Sequence, residues 1–520
     1  MNVTNVILID VGTPRDEISE PIGIETISPY IECIPNVKLT LESIELSNKL
    51  VNTNWKLFDI IGISTKIRAF DRLELLINDI IKINPNALII LGDIVSTFGY
   101  PELLKRWKNI ICVIGEGEIC MPLLVRAYRD CTLNKCINEI PNIAYCSENK
   151  IITTKRQIVD VSKALRPTRH FIKDIYAKQG IVHLEGSRGC VYSNCSFCGI
   201  QQKYGGVGWR PFSLTHIISE LDYLSNMGFR SPYFTDEDFY GNDVERVTQF
   251  CKNLINEKAK GNINPNLDFY FNARVDSILG TEFGDFDEAT KVLQLLKNAG
   301  LREIFIGVES GGVAQIDRYK KRITIEKNIR AINLLTSLGI DLDIGFIFFD
   351  PHASIDDLYF NLEFIRLAQI NKNYSRLTKK LRLQPFTGIS HGYFKNYNQK
   401  PEINLNFVCF DYDFQDDNVR NIYRLFKNWE LEDLDIIYNM QSFCRGEINT
   451  ELERNEVKQI ISSYRFLDLE YLHSLVFGIK ENIATDKYLT NIYDQFHRIR
   501  EHIDSFNIDK IKWFHNEYRK

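Results

Sequence analysis

The first 128 residues alternate short apolar runs with amphipathic stretches. Val6–Val11, Phe58–Ser64, Ala87–Leu91 and Ile110–Ile114 read as buried strands. Ile22–Ile34 and Ala69–Ile83 carry helical periodicity, and Val37–Leu46 alternates apolar with polar positions. Short apolar strands separated by amphipathic helices predict a doubly wound parallel sheet. Asn142–Ile158 reads as a hairpin turning at Glu148-Asn149-Lys150, and LRPTRHF (Leu165–Phe171) as an irregular crossing. From Gly180 to about Pro385 the pattern becomes a repeated β/α unit. Its strands are Ile181–Glu185, Ser231–Thr235, Leu267–Asn272, Arg302–Val308, Asp341–Phe348 and Leu381–Pro385. Gly228, Gly300 and Gly339 stand just past three of the helices, where a helix C′ glycine is expected. Six successive units, without room for eight, predict a partial (β/α)6 TIM-type barrel with its chemistry at the strands' carboxyl ends. Beyond about residue 400 the pattern is helical: Asn418–Lys427, Glu451–Glu470 and Tyr488–Ser505. The expected organisation is α/β: 1–128 doubly wound sheet, 129–178 connector, 179–398 partial barrel, 399–520 helical region.

Composition narrows the class. The chain has 520 residues, a formal net charge of −5, 44% hydrophobic residues and 25% charged residues. Those are ordinary globular proportions. The charge argues against a partner held by bulk electrostatics, such as nucleic acid or an anionic membrane. The apolar run at the amino terminus is too short for a signal peptide, and no stretch approaches a membrane span. A reducing, cytoplasmic setting is therefore expected, where clustered cysteines serve metals or redox chemistry.

Twelve cysteines are present, and three of them, Cys190, Cys195 and Cys198, crowd into GSRGCVYSNCSFCGI. The spacing is C-x4-C-x2-C, directly after the first barrel strand. Three thiolates on one loop suit three irons of a four-iron cubane. Zinc needs a fourth ligand, for which His183 and His216 are the nearest histidines. A two-iron site needs a fourth cysteine, and Cys251 lies within a helical core pattern. Incidental thiols are the remaining alternative.

The loop resembles that of the radical S-adenosylmethionine (SAM) superfamily, whose commonest spacing is one residue shorter between the first two cysteines. FTDEDFYG, FNAR, LREIFIGVESG and DIGFIFFDP, at successive strand ends, are similar to the same superfamily. The resemblance covers roughly 165–390. It implies that Cys190, Cys195 and Cys198 ligate a [4Fe–4S] cluster. It further implies that SAM binds the open iron, and that one electron cleaves SAM to a 5′-deoxyadenosyl radical. Phe197, Asp236, Glu237, Arg274, Glu309 and Phe346 are the implied SAM-side residues. Asp238 completes a run of three acids that also suits a helix N-cap. Arg274 is expected to pair with the SAM carboxylate or with Glu309, or to form a structural salt bridge. Phe346 is expected to border the adenine or to fill the barrel interior. His183, His352 and His391 are expected to be structural.

GEGE (Gly115–Glu118) is not a dinucleotide fingerprint, because Cys120 holds the third glycine position. PIGIETISPYI, FDIIGISTKIRAF, ALIILGDIVSTF and IICVIGEGE resemble the Rossmann-like cobalamin-binding domain fused to many radical SAM enzymes. The implied cobalamin-side residues are Ser64, Gly92, Asp93, Thr97, Gly115, Glu116 and Gly117. No histidine precedes His170, so the cobalt-ligating D-x-H-x-x-G motif is absent. The resemblance implies methylation or rearrangement of an unactivated carbon in a small molecule or peptide. It also implies an electron donor such as flavodoxin or ferredoxin. A cobalamin-free enzyme with a scaffold amino-terminal domain, and a non-catalytic iron–sulfur electron carrier, remain the alternatives.

Overall fold

The computed structural model describes residues 3–12, 18–47, 53–279, 286–397, 400–431, 434–445 and 450–481. The expected helix Tyr488–Ser505 lies outside them. The chain divides into two compact units. One comprises 1–178, 192–210 and 382–411, and the other 179–191, 211–381 and the chain from Tyr412 onward.

The first unit is built on a seven-stranded sheet. Its strands are β1 (Thr4–Val11), β2 (Val37–Ser43), β3 (Ile60–Thr65), β4 (Leu88–Gly92), β5 (Ile110–Val113), β6 (Ile143–Ser147) and β7 (Lys150–Thr153). They lie in the order β2-β1-β3-β4-β5-β6-β7. The first five are parallel; β1, β3, β4 and β5 are largely apolar and buried, as central strands under helices on both faces must be, whereas edge strand β2 carries Lys38, Thr40 and Glu42. The order reverses between β1 and β3, which makes that crevice the expected ligand position of an open sheet. The expected connector supplies β6 and β7. This hairpin pairs antiparallel with β5 and so covers an edge whose backbone groups would otherwise lack partners. The crossing LRPTRHF is held on helix Ile22–Glu32, where buried Arg169 meets Glu20 and the Phe171 N–H donates to Glu25 (2.8 Å).

The second unit contains β8 (His183–Leu184), then the short extended pairs β9 (Ser187–Arg188) and β10 (Arg210–Pro211), the last at its boundary. It continues with β11 (Tyr233–Phe234), β12 (Phe269–Arg274), β13 (Leu301–Glu309) and β14 (Asp341–Phe346). The parallel sheet runs β14-β13-β12-β11-β8. Gly228, Gly300 and Gly339 all take positive φ after their helices, as the sequence predicts. The sixth strand differs from expectation. The sixth position is a single parallel bridge between Phe349 and Lys380, and Leu383 bridges antiparallel to Phe410. Pro385 has no N–H for a ladder, and residues 382–411 belong to the other unit.

Side chains of the barrel strands sort by parity. Phe269, Phe271, Ile304, Ile306, Val308, Ile344 and Phe346 are buried, whereas Asn272, Phe305, Glu309 and Asp343 are partly open. Phe239 stacks on Phe271 at 4.4 Å, and Phe250 and Cys251 of helix Val244–Ala259 are fully buried. Burial pushes the Cys251 thiol up to about 12, which suits a core cysteine rather than an iron ligand. The carboxy-terminal helices Asp417–Leu431, Leu434–Arg445 and Glu451–Glu481 pack in this same unit. Lys458 reaches Asp341 (2.6 Å) and Arg445 reaches Asp343 (3.0 Å), both in the amino-terminal half of β14. Of the carboxy-terminal aromatics, Trp429, Tyr464 and Tyr471 are core, Trp429 stacking on Tyr471 at 4.5 Å, while Tyr412 and Tyr438 are half-buried. Among the described residues no helix is long and apolar enough to cross a membrane.

Candidate functional site

The cysteine loop leaves β8 at its carboxyl end. Its upstream arm, Gly186–Gly189, is fastened within the barrel unit by the acids that follow β11. Asp236 accepts from the Gly186 N–H (2.8 Å) and from the Ser187 hydroxyl (2.5 Å). Glu237 accepts from the Gly189 N–H (3.1 Å), next to Cys190. Arg246 donates to the Gly186 carbonyl (2.7 Å). Asp236 is 1% exposed, and burial raises its carboxyl to about 7 against the pull of those hydrogen bonds. Asp238 is also buried. It accepts from Ser277 (3.0 Å), and burial raises it to about 6. The carboxylates of Asp236 and Glu237 therefore fasten the loop directly.

The downstream part, Tyr192–Arg210, belongs to the amino-terminal unit. The Cys198 N–H donates to the Cys195 carbonyl (3.1 Å), which closes a turn around half-buried Phe197. The Ile389 N–H donates to the Ser196 carbonyl (2.8 Å). All three cluster cysteines are free thiols, Cys190 buried and the others half-buried. Among the described residues no three His, Cys, Asp or Glu side chains are grouped as a formed metal site. The donor set itself, three soft thiols on one loop, suits iron–sulfur ligation.

The mouth of the barrel carries a compact ionic cluster. Lys321 pairs with Glu309 (2.6 Å), and Arg274 with Asp276 (2.7 Å). The Arg274 guanidinium also approaches the Lys321 carbonyl (3.5 Å). Glu309 thus takes Lys321 rather than Arg274. A Cβ on Gly307 would stand 2.4 Å from the Glu309 carboxylate and 2.5 Å from Lys321 Nζ, so the glycine leaves room for this pair over β13 and a side chain there would push it aside. Glu309 itself holds a left-handed φ of 70°, a strained conformation for a residue with a side chain. Phe346 points the other way. It is 1% exposed and its ring lies 6.1 Å from Phe364 of helix Ile355–Leu367, so it packs under that helix rather than in the barrel interior. His352 hydrogen-bonds distant Gln415 (3.0 Å) and His391 the neighbouring Thr387 carbonyl (2.8 Å), as structural histidines do.

At the carboxyl edge of the first sheet, four of the seven cobalamin-side residues form one hydrogen-bonded chain. Ser64 donates to Asp93 (3.1 Å), Thr97 donates to the Asp93 carbonyl (2.9 Å), and the Gly115 N–H donates to Thr97 (3.0 Å). Gly92 ends β4 beside them. Glu116 and Gly117 are engaged elsewhere. Glu116 pairs with Arg210 (2.9 Å) and accepts from the Val159 N–H (3.1 Å), while Gly117 packs against Ile27. Sequence reading missed Lys66, which follows β3 at the switch crevice. Its ammonium lies 3.7 Å from Asp10, 3.5 Å from Glu45 and 3.4 Å from Ser19. Burial alone lowers the Lys66 pKa, but the neighbouring carboxylates outweigh burial and raise it overall. The signal was present in GISTK, a cation directly after a buried strand.

Residues 184–365 match the Radical SAM superfamily. The chain is 30% identical over 326 residues to 4′-phospho-dehydrooxetanocin synthase of Priestia megaterium, covering 59% of this chain and 42% of that protein. The chain thus spans less than half the length of that relative. Among solved structures it is similar to the cobalamin-dependent SAM radical enzyme OxsB, solved with aqua-cobalamin and SAM bound. The TM-score is 0.78 at 21% identity, over 98% of this chain and 81% of that one. It is also similar to the radical SAM methyltransferase TsrM from Kitasatospora setae. There the TM-score is 0.63 at 15% identity, over 76% and 77% of the two chains. At these identities the structural likeness concerns the fold. Residues 184–365 thus match the radical SAM family, and the fold of the chain as a whole is similar to that of these cobalamin-dependent enzymes.

Proposed function

We propose that the chain is a cobalamin-linked radical SAM enzyme that methylates or rearranges an unactivated carbon of a small molecule or peptide. The observation that carries this reading is the three-thiol loop, whose upstream arm is fastened by the acids at the end of β11 in the matched domain. When bound, a reduced [4Fe–4S] cluster with SAM supplies a 5′-deoxyadenosyl radical, and cobalamin supplies a carrier for methyl or radical chemistry. Cys190, Cys195 and Cys198 would hold the cluster. The two cations and two carboxylates of Arg274, Lys321, Asp276 and Glu309 suit a zwitterionic amino-acid end. Ser64, Gly92, Asp93 and Thr97 would face a corrin at the carboxyl edge of the first sheet, with Asp93 exposed there. The reductant would be a small electron carrier.

A cobalamin-free enzyme is the second reading. It is favoured by the absence of any histidine before His170 and by the engagement of Glu116 within the protein. Two measurements on the anaerobically reconstituted protein decide between these. Reduction with dithionite in the presence of SAM is expected to release 5′-deoxyadenosine, and its absence would defeat the enzyme reading. Incubation with hydroxocobalamin followed by desalting is expected to leave a corrin spectrum. A protein that shows the iron–sulfur absorption without corrin bands and still cleaves SAM would establish the second reading.

A further inference from the structure

The downstream part of the cysteine loop ends in a short helix, Ile200–Tyr204, that starts two residues after Cys198. The last carbonyls of a helix lack intrahelical partners and attract positive charge. Here they meet Arg156, which enters from the segment after β7. Its guanidinium donates to the carbonyls of Gln202 (3.0 Å) and Lys203 (3.1 Å). Its Nε donates to Asn142 (3.2 Å), a fully buried side chain that also accepts from the Gln157 N–H (2.7 Å). The Lys203 N–H donates to the Gly199 carbonyl (3.0 Å), so a grip on Lys203 passes along one helical turn to the residue beside Cys198.

The neighbouring loop is shaped to admit this grip. A Cβ on Gly115 would lie 2.3 Å from the Lys203 carbonyl and 2.4 Å from Arg156 Nη2. Gly115 is therefore accounted for by a protein contact, without any ligand. Further along the same segment, Gln202 donates to the Thr97 carbonyl (3.3 Å), and the Glu116–Arg210 pair closes the far end. Arg210 also donates to the Val159 carbonyl (2.7 Å). The segment that carries Cys195 and Cys198 is thus fastened at residues 196, 202, 203 and 210.

We infer that Arg156 is a positioning residue for the cluster loop. Through it the amino-terminal domain holds the segment bearing two of the three thiols, whether or not a corrin is bound. The inference rests on the proposal that the three cysteines hold a four-iron cluster. Arginine suits this role because its planar fork reaches two carbonyls at once, whereas a lysine ammonium is a single point charge.

The test uses the full chain reconstituted with iron and sulfide, as wild type, Arg156→Lys and Arg156→Ala, each with and without hydroxocobalamin. Amide hydrogen exchange over 199–206 and iron retained against a ferrous chelator are measured. In Arg156→Ala, exchange is expected to be about tenfold faster, as follows from losing charged hydrogen bonds to a local element. Iron should be lost correspondingly sooner, equally with or without corrin, and Arg156→Lys should fall between. A wild type that takes up no four-iron cluster would remove the underlying proposal. A wild type that takes it up, with Arg156 variants showing the same exchange and the same iron retention, would overturn the inference. If Arg156→Ala does not fold, the comparison of wild type with Arg156→Lys decides in the same way.

Discussion

The two ends of the cysteine loop are held differently: carboxylates together with the Arg246 guanidinium hold the upstream arm, and a guanidinium without carboxylates holds the helix downstream. Upstream, within the barrel unit, the loop offers N–H groups and a hydroxyl, and carboxylates accept from them at Gly186, Ser187 and Gly189. Downstream, within the amino-terminal unit, the chain offers helix-terminal carbonyls, and a guanidinium donates to Gln202 and Lys203. The difference follows from backbone direction. The chain before the cysteines runs off a strand end with its donors unpaired, whereas the chain after them forms a helix with unpaired acceptors. The upstream end therefore depends in part on Asp236, whose carboxyl is raised by burial, and the downstream end on a guanidinium that stays charged.

The largest expected effect separates the two ends by burial. Asp236→Ala leaves the Gly186 N–H without its acceptor inside the protein, while the Ser187 hydroxyl loses its shorter bond and keeps the Asp238 carbonyl (3.2 Å). One buried unsatisfied N–H and one lost hydroxyl bond to a carboxylate cost about 3 kcal/mol together. Arg156 is half-buried, and its loss is expected to cost about half of that, because water replaces part of the contact. Urea denaturation of the reconstituted proteins measures both, and equal losses would remove the distinction between the ends.

The next effect is pH dependence. The Asp236 carboxyl rises from its ordinary 3.8 to about 7 because it is buried. Between those values the folded chain holds a proton that the unfolded chain has released. The associated stability is complete below about 4 and is lost as the pH rises through 7. Asp236→Asn is expected to flatten this slope over pH 4 to 7, roughly, whereas Arg156→Lys leaves it unchanged. An unchanged slope in Asp236→Asn would show that its carboxyl does not titrate in this way.

The smallest effect concerns Glu237. Its carboxylate accepts from Gly189, and glutamine retains an acceptor oxygen for that N–H. Glu237→Gln is expected to shift SAM affinity by less than about threefold in isothermal titration, since no charge partner of SAM is removed. A larger loss of affinity would return Glu237 to the SAM-side role that its position in FTDEDFYG suggests.

Periodicity made much of this architecture legible. The parallel strands, the C′ glycines and the hairpin at Glu148-Asn149-Lys150 follow from local chemistry that the chain displays directly. What stayed hidden depends on partners distant in sequence. Glu309 and Lys321 face each other because β13 and the turn after helix Val313–Tyr319 return to one place, which no local pattern announces. Arg156 lies 46 residues from Gln202, in a stretch that reads as connector. The β6–β7 hairpin completes a sheet edge, a role decided by β5 rather than by its own residues. Phe346 was recoverable: in Asp341–Phe346 the polar positions Asp341 and Asp343 alternate with Leu342 and Ile344, and the same period assigns Phe346 to the covered face.

The central claim is that the loop gathers three thiols around a four-iron cluster with one iron open to SAM. Electron paramagnetic resonance of the dithionite-reduced, reconstituted protein, recorded before and after adding SAM, tests it most directly. The account predicts a four-iron signal in the wild type whose shape changes when SAM is added, and no such signal in Cys198→Ala. A four-iron signal that SAM leaves unmoved, or one that persists in Cys198→Ala, would contradict it.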